Sequence, residues 1–177
     1  LTLASGRCWL HERPLAGWSG VDPGLEARLA GLLAAEPPAD MAEDPALRAL
    51  RASGPGGGFY LDLETTGLAG MPVFLAGVLA PGPLPGTPTE PDDPPGMRFR
   101  LYLARDYREE APLLEALAAE FSAWPTVITY NGKSYDLPYL RERAARLRVR
   151  RPAAAAHLDL LHPARRRWSG QLPACRL

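Results

Sequence analysis

Two acids, Asp62 and Glu64, interrupt the apolar run Phe59-Tyr60-Leu61-Asp62-Leu63-Glu64, and a Thr65-Thr66-Gly67-Leu68 turn follows at once. If the run is a strand, alternation places both carboxylates on one face and Leu61 with Leu63 on the other. Their Cα atoms then lie about 6.5–7 Å apart, so both side chains reach one cation. On a half-buried face two such carboxylates repel one another and lose hydration unless a proton or a cation neutralises them. Hard, all-oxygen donors of this kind favour Mg²⁺ or Mn²⁺ over zinc or copper. The competing reading sets the pair on a solvent-facing edge of the strand, where no ion is needed.

A third acid, Asp136, stands in Tyr130-Asn131-Gly132-Lys133-Ser134-Tyr135-Asp136-Leu137-Pro138, between a short β-branched run and an amphipathic segment. Taken alone it reads as a helix N-cap with Pro138 in the first turn. Lys133, the one lysine of the chain, sits in the loop beside it. Asp159 lies in His157-Leu158-Asp159-Leu160-Leu161. It either forms an oxygen and nitrogen ligand pair with His157 on one strand face, or caps a turn and supports the site from behind. Asp92 and Asp93 are adjacent in a proline-rich stretch and read as solvated loop acids. His11 and His162 have no companions at ligand spacing, and the chain contains no HExxH, G-x-S-x-G or P-loop pattern.

These residues need elements to hold them. Residues 1–53 form a leading section in which Asp22-Pro23 and Asp44-Pro45 each predict a capped helix start. Leu25, Leu29, Leu32 and Leu33 make one apolar stripe, and Leu47 with Leu50 a shorter one. The run Ser53-Gly54-Pro55-Gly56-Gly57-Gly58 marks a break, and the main domain is expected over 54–177. Strands are predicted at 59–64, 73–79, 97–104 and 126–130, with a fifth short one at 157–161. The third, Met97-Arg98-Phe99-Arg100-Leu101, alternates as a half-exposed strand should. Helices are expected over 109–121 and 137–147, the second turning Leu137, Leu140, Ala144 and Leu147 inward and Arg141, Arg143, Arg146 and Arg148 largely outward. Three strands followed by helix, strand, helix, strand predict an α/β fold in which an antiparallel meander feeds parallel crossovers.

Composition narrows the function classes. The 177 residues suit one domain with a small appendage, and the formal net charge is zero. From Leu137 onward there are ten arginines and two acids, against ten basic and eighteen acidic residues before it. That asymmetry points to a polyanion near the C-terminal part. Cys8 and Cys175 lie at opposite ends without a CxxC, which suits a reducing cytosol. The longest apolar run, 73–80, is too short to span a bilayer, and no secretory leader pattern is visible; a cytoplasmic protein with no membrane partner is expected. A glycosidase-like use of the two carboxylates is disfavoured because both share one strand face and no aromatic sugar platform accompanies them.

Taken together, the first and second acid motifs resemble those of the DEDD superfamily of 3′–5′ exonucleases, Asp-x-Glu on a strand and a later Asp at the start of a helix. The fuller string, with His157 to Trp168, is most similar to the bacterial YprB-type ribonuclease-H-like domain family, from about Phe59 to Leu177. The resemblance implies a ribonuclease-H-like fold: a mixed five-stranded sheet flanked by helices, here with a helical N-terminal extension. It implies a divalent-metal-dependent nuclease that hydrolyses phosphodiester bonds of RNA or single-stranded DNA from the 3′ end, using two Mg²⁺ or Mn²⁺ ions. Asp62 would bridge both ions, Glu64 would bind one and position a water, and Asp136 would bind the other. Thr65, Gly67 and Leu68 would lie against the terminal nucleotide, and Asn131 and Tyr135 would contact the strand being digested. Lys133 and Arg141 would meet phosphates. His157 and Asp159 are assigned supporting places. The family's third motif, a His or Tyr four residues before a final Asp, has no counterpart after Asp159 and is expected beyond Leu177, as is a tetratricopeptide-repeat segment elsewhere in the full-length protein. Without that motif, metal binding is expected to weaken and catalysis to fail. The alternative is a non-catalytic module that keeps the fold to bind nucleic acid or protein.

Overall fold

The alternation of residues 58–65 builds the central strand of a six-stranded sheet. The computed structural model describes residues 1–67, 70–87, 95–168 and 171. Leu68, Asp92, Asp93 and Cys175 lie outside them. In chain order the elements are strands β1 (Thr2–Leu3), β2 (Gly6–Arg7) and β3 (Trp9–Pro14), helices α1 (Leu25–Ala34) and α2 (Pro45–Ser53), then strands β4 (Gly58–Thr65), β5 (Val73–Pro81) and β6 (Met97–Leu103). They continue with α3 (Glu110–Ala123), β7 (Thr126–Thr129), α4 (Asp136–Leu147), β8 (Ala156–Asp159) and α5 (Leu161–Trp168). β1 and β2 form a small hairpin, and the main sheet runs β3-β6-β5-β4-β7-β8. β4, β5 and β6 are antiparallel neighbours, whereas β7 and β8 join parallel through the crossover helices α3 and α4.

The sheet has six strands where five were expected. The sixth, β3, comes from the leading section and pairs antiparallel with β6 in an unbroken register from Trp9↔Leu103 to Pro14↔Arg98. Its sequence, Trp-Leu-His-Glu-Arg-Pro, has too few β-branched residues and too little alternation to announce a strand. Pro14 at its end is tolerated because β3 is an edge.

One face of the sheet is dry. Phe59, Leu61 and Leu63 of β4 pack with Leu113, Leu114, Leu117 and Phe121 of α3 and with Leu137 and Leu140 of α4. Phe59 and Phe121 meet edge to face, 5.0 Å between ring centres. Ala46 and Leu50 of α2 form a second, smaller cluster with Ile128 and Leu158 on the other face. Helix α2 starts as its sequence predicts, with Asp44 accepting from Ala46 N and Leu47 N. For α1 the expectation fails: the cap is Gly24, and Asp22 instead accepts from Gly24 N and pairs with Arg28.

Two arginines expected to point outward are buried. Arg100 of β6 is 0% exposed, where it donates to Glu120 of α3 and to Glu12 of β3. Tyr102 also donates to Glu120, at 2.6 Å. Arg143 of α4 is buried against Glu110. Each guanidinium enters the interior because a facing element delivers a carboxylate to it, which a single segment cannot reveal. Among the described residues no helix is long and apolar enough to cross a membrane.

Candidate active site

Strand alternation turns Asp62 and Glu64 to the exposed face of β4 while Leu61 and Leu63 are buried on the opposite face. The pairing of β4 with β5 shifts register between Glu64 and Thr65. The unpaired residue is Phe74 of β5, so the irregularity belongs to the neighbouring strand, opposite the point where the acids of β4 give way to the turn. Alongside lies a groove of about 510 Å³, lined by Tyr60, Asp62, Glu64, Gly77, Phe99 and Tyr130 among others.

Asp136 is the first residue of α4, and the capping position belongs to Tyr135, which makes no side-chain cap. The residue is 5% exposed. Burial pushes its pKa up, the negative charge of Asp62 pushes it further, and Asp159 adds to the effect, so that it reaches about 6 despite opposing backbone N–H bonds from its own residue and Leu63. Asp62 and Asp136 therefore sit within electrostatic reach of each other although 74 residues separate them in sequence. A direct bond joins the same two segments: Thr65 donates to Gly67 O at 2.7 Å, leaving its oxygen to accept from the Tyr135 hydroxyl at 3.0 Å.

Asp159 faces the loop between β7 and α4. Its Oδ1 accepts from Asn131 N at 2.9 Å and Leu161 N at 3.0 Å, and its Oδ2 from Lys133 N at 2.9 Å. Burial raises its pKa, but these three backbone donors outweigh burial and hold it below the usual carboxylate range. Asn131 adopts a left-handed φ of 68°, a conformation Asn tolerates better than most residues. Gly132 lies so close to Thr129 that a Cβ would stand 2.3 Å from Thr129 Oγ1. His157 Nε2 and Thr129 Oγ1 are hydrogen-bonded at 2.8 Å. Burial lowers the His157 pKa, and the nearby charges of Lys133 and Arg141 lower it too, against the opposing pull of Asp159. Lys133 and Arg141 are thus both on this side of the molecule, and both are exposed. Asp159→Asn would leave one backbone donor facing an amide nitrogen, and it is expected to lower unfolding stability by about 1–2 kcal/mol in a urea titration.

Four contributors escaped the sequence reading. Thr129 accepts from Gly132 N, and Tyr139, Arg143 and Glu110 hold the turn after Thr65. A charge on an apolar helical stripe was the available signal: Glu110 is in phase with Leu113, Leu114, Leu117 and Phe121, and Arg143 with Leu140, Ala144 and Leu147.

Among the described residues, no three His, Cys, Asp or Glu side chains form a ready-made metal cage. The donors within electrostatic reach of each other, Asp62 and Asp136, offer only oxygen, and their mutual repulsion is the kind a hard divalent cation relieves. Glu64 shares the strand face of Asp62 and is exposed. The chemistry of these donors fits Mg²⁺ or Mn²⁺.

Residues 59–177 match the sequence profile of the RNase H superfamily. The chain is also 32% identical over 119 residues to a protein of Bacillus subtilis (strain 168) described as the uncharacterized protein YprB. That alignment covers 64% of this chain and 26% of the relative, so the chain spans about a quarter of that protein's length.

Proposed function

The chain belongs to the RNase H superfamily, and on that premise we propose that it is a divalent-metal-dependent nuclease acting as a 3′–5′ exonuclease on RNA or single-stranded DNA. The observation that carries the reading is the meeting of Asp62 and Asp136, which burial and charge make costly unless something positive shares the space. Asp62, Glu64 and Asp136 would hold one or two Mg²⁺ or Mn²⁺ ions. When bound, such ions activate a water and stabilise the leaving 3′ oxygen in phosphodiester hydrolysis.

The protein's own groups do the positioning. Strand alternation presents Asp62 and Glu64 on the open face, and the helix start brings Asp136 within electrostatic reach of Asp62. Thr65 and Gly67, tied to Tyr135, form the floor for the terminal nucleotide; Leu68, which lies outside the described residues, is assigned the same role. Asn131 and Tyr135 touch the strand behind it. Lys133 and Arg141 attract its phosphates without reading sequence. Asp159 keeps the loop of Asn131 and Lys133 in shape through three backbone bonds, and Thr129 holds His157 beside it.

The test uses the full-length protein and 5′-labelled single-stranded RNA and DNA oligonucleotides, with Mg²⁺, Mn²⁺ or EDTA. A ladder shortening from the 3′ end, abolished by EDTA, is expected; intact substrate with either metal sinks the proposal. The second reading, a binding module without catalysis, draws on the incomplete convergence of Glu64 with Asp62 and Asp136 among the described residues. Retained oligonucleotide binding, independent of Mg²⁺ and of Asp62, would select it.

A further inference from the structure

The turn that leaves β4 is held from behind by α4 and α3. Tyr139 donates its hydroxyl to Met71 O at 2.6 Å, and Arg143 donates through Nη1 to Gly70 O at 2.7 Å. Glu110 Oε1 accepts from Val73 N at 3.0 Å and from Arg143 Nε at 2.7 Å, while Glu110 Oε2 accepts from Arg143 Nη2. Gly70 O, Met71 O and Val73 N are thus all bound by three side chains that also bind one another or share a helix. Tyr139 further stacks at a tilt on Tyr135, 5.5 Å between ring centres, and Tyr135 reaches Thr65 at the other end of the same turn.

A buried ion pair is costly in stability compared with a hydrophobic pair of similar size, so its retention calls for a reason beyond packing. Arg143 is the element a hydrophobic residue could not replace, because a carbonyl and a carboxylate in different segments both need its planar fork. The helix it belongs to begins with Asp136.

We propose that Arg143, Glu110 and Tyr139 are positioning residues that lock the turn between Thr65 and Val73 to the helix bearing Asp136, setting the grip on the terminal nucleotide and not the affinity for metal. The proposal rests on the nuclease reading above for its substrate, but the lock itself is a property of the fold. Tyr139→Phe removes only a hydroxyl and keeps the ring on Tyr135. Arg143→Lys keeps the charge beside Glu110 and loses the fork.

Both variants are made in the full-length protein and compared with the parent in three measurements. Amide hydrogen exchange over residues 66–73 is expected to speed up in both. KM for a single-stranded oligonucleotide is expected to rise roughly tenfold, with kcat nearly unchanged. Mn²⁺ affinity, read by calorimetric titration, is expected to stay within twofold. Unchanged exchange in a folded Tyr139→Phe protein would overturn the lock, whether or not the parent cleaves nucleic acid. Faster exchange with KM unaltered, or a fall in Mn²⁺ affinity and kcat with KM unaltered, would overturn its role in gripping substrate. A parent protein that cleaves nothing would instead defeat the nuclease reading, and the exchange experiment would still decide the lock.

Discussion

Asp62→Ala, made in the full-length protein, is expected to cut phosphodiester hydrolysis by a factor on the order of 10³, the scale on which loss of a key electrostatic group acts. It is also expected to remove most of the heat of a Mn²⁺ titration. The fold should survive, because the carboxylate of Asp62 is on the exposed face of β4 and the packing of that strand is done by Phe59, Leu61 and Leu63. A second consequence separates site chemistry from simple damage. Asp62 is one of the charges that raise Asp136, so its removal should bring the Asp136 pKa down, with burial and the weaker effect of Asp159 left as the upward pushes. Carboxyl NMR titration reads that shift without any substrate. Hydrolysis within about threefold of the parent would remove Asp62 from the site and the two-metal reading with it.

What could be read in the chain before its structure was whatever depends on one segment at a time. The period-two pattern around Asp62 and Glu64 sufficed to place both on one face, because strand alternation is local geometry. The order of strands and helices from Gly58 to Asp159 followed from period and turn residues in the same way. Asp136 could be put at a helix start, but its neighbour Asp62 was implied only by the family resemblance and not by spacing, since that meeting needs β4 and β7 to lie side by side. The alternating Met97-Arg98-Phe99-Arg100 stretch was misleading for a related reason. Its period was right, yet Arg100 faces the interior, because α3 supplies Glu120 and β3 supplies Glu12. Asp159 shows the same limit from the other side: its three partners are backbone N–H groups of a remote loop and of Leu161, and backbone donors leave no mark in residue type. The edge strand β3 was hidden because edge pairing asks little of its side chains, needing only a free neighbour such as β6.

Asp136→Asn is expected to make the metal-free protein more stable near neutral pH while removing its response to divalent ions. The folded carboxyl titrates at about 6 against an ordinary aspartate value of 3.8. Between these two values the folded state holds a proton that the unfolded chain has released, so stability is full below about pH 4 and falls as the pH rises toward 6. Above that the whole penalty applies, roughly 3 kcal/mol from the difference of the two values. Asparagine fills nearly the same space without the charge, so at about pH 8 in EDTA it should recover some 1–3 kcal/mol of that penalty. At about pH 3.5, where the parent Asp136 is protonated, the two proteins should unfold at nearly the same urea concentration. Adding Mg²⁺ at about pH 8 should stabilise the parent, because a ligand bound only to the folded state shifts the equilibrium toward it, and should leave the variant almost unmoved. A variant less stable than its parent at about pH 8 in EDTA, or a difference independent of pH, would mean that burial beside Asp62 is not what strains this carboxylate. The pattern expected instead is that of a group kept at a cost to folding because its charge is needed when a cation arrives.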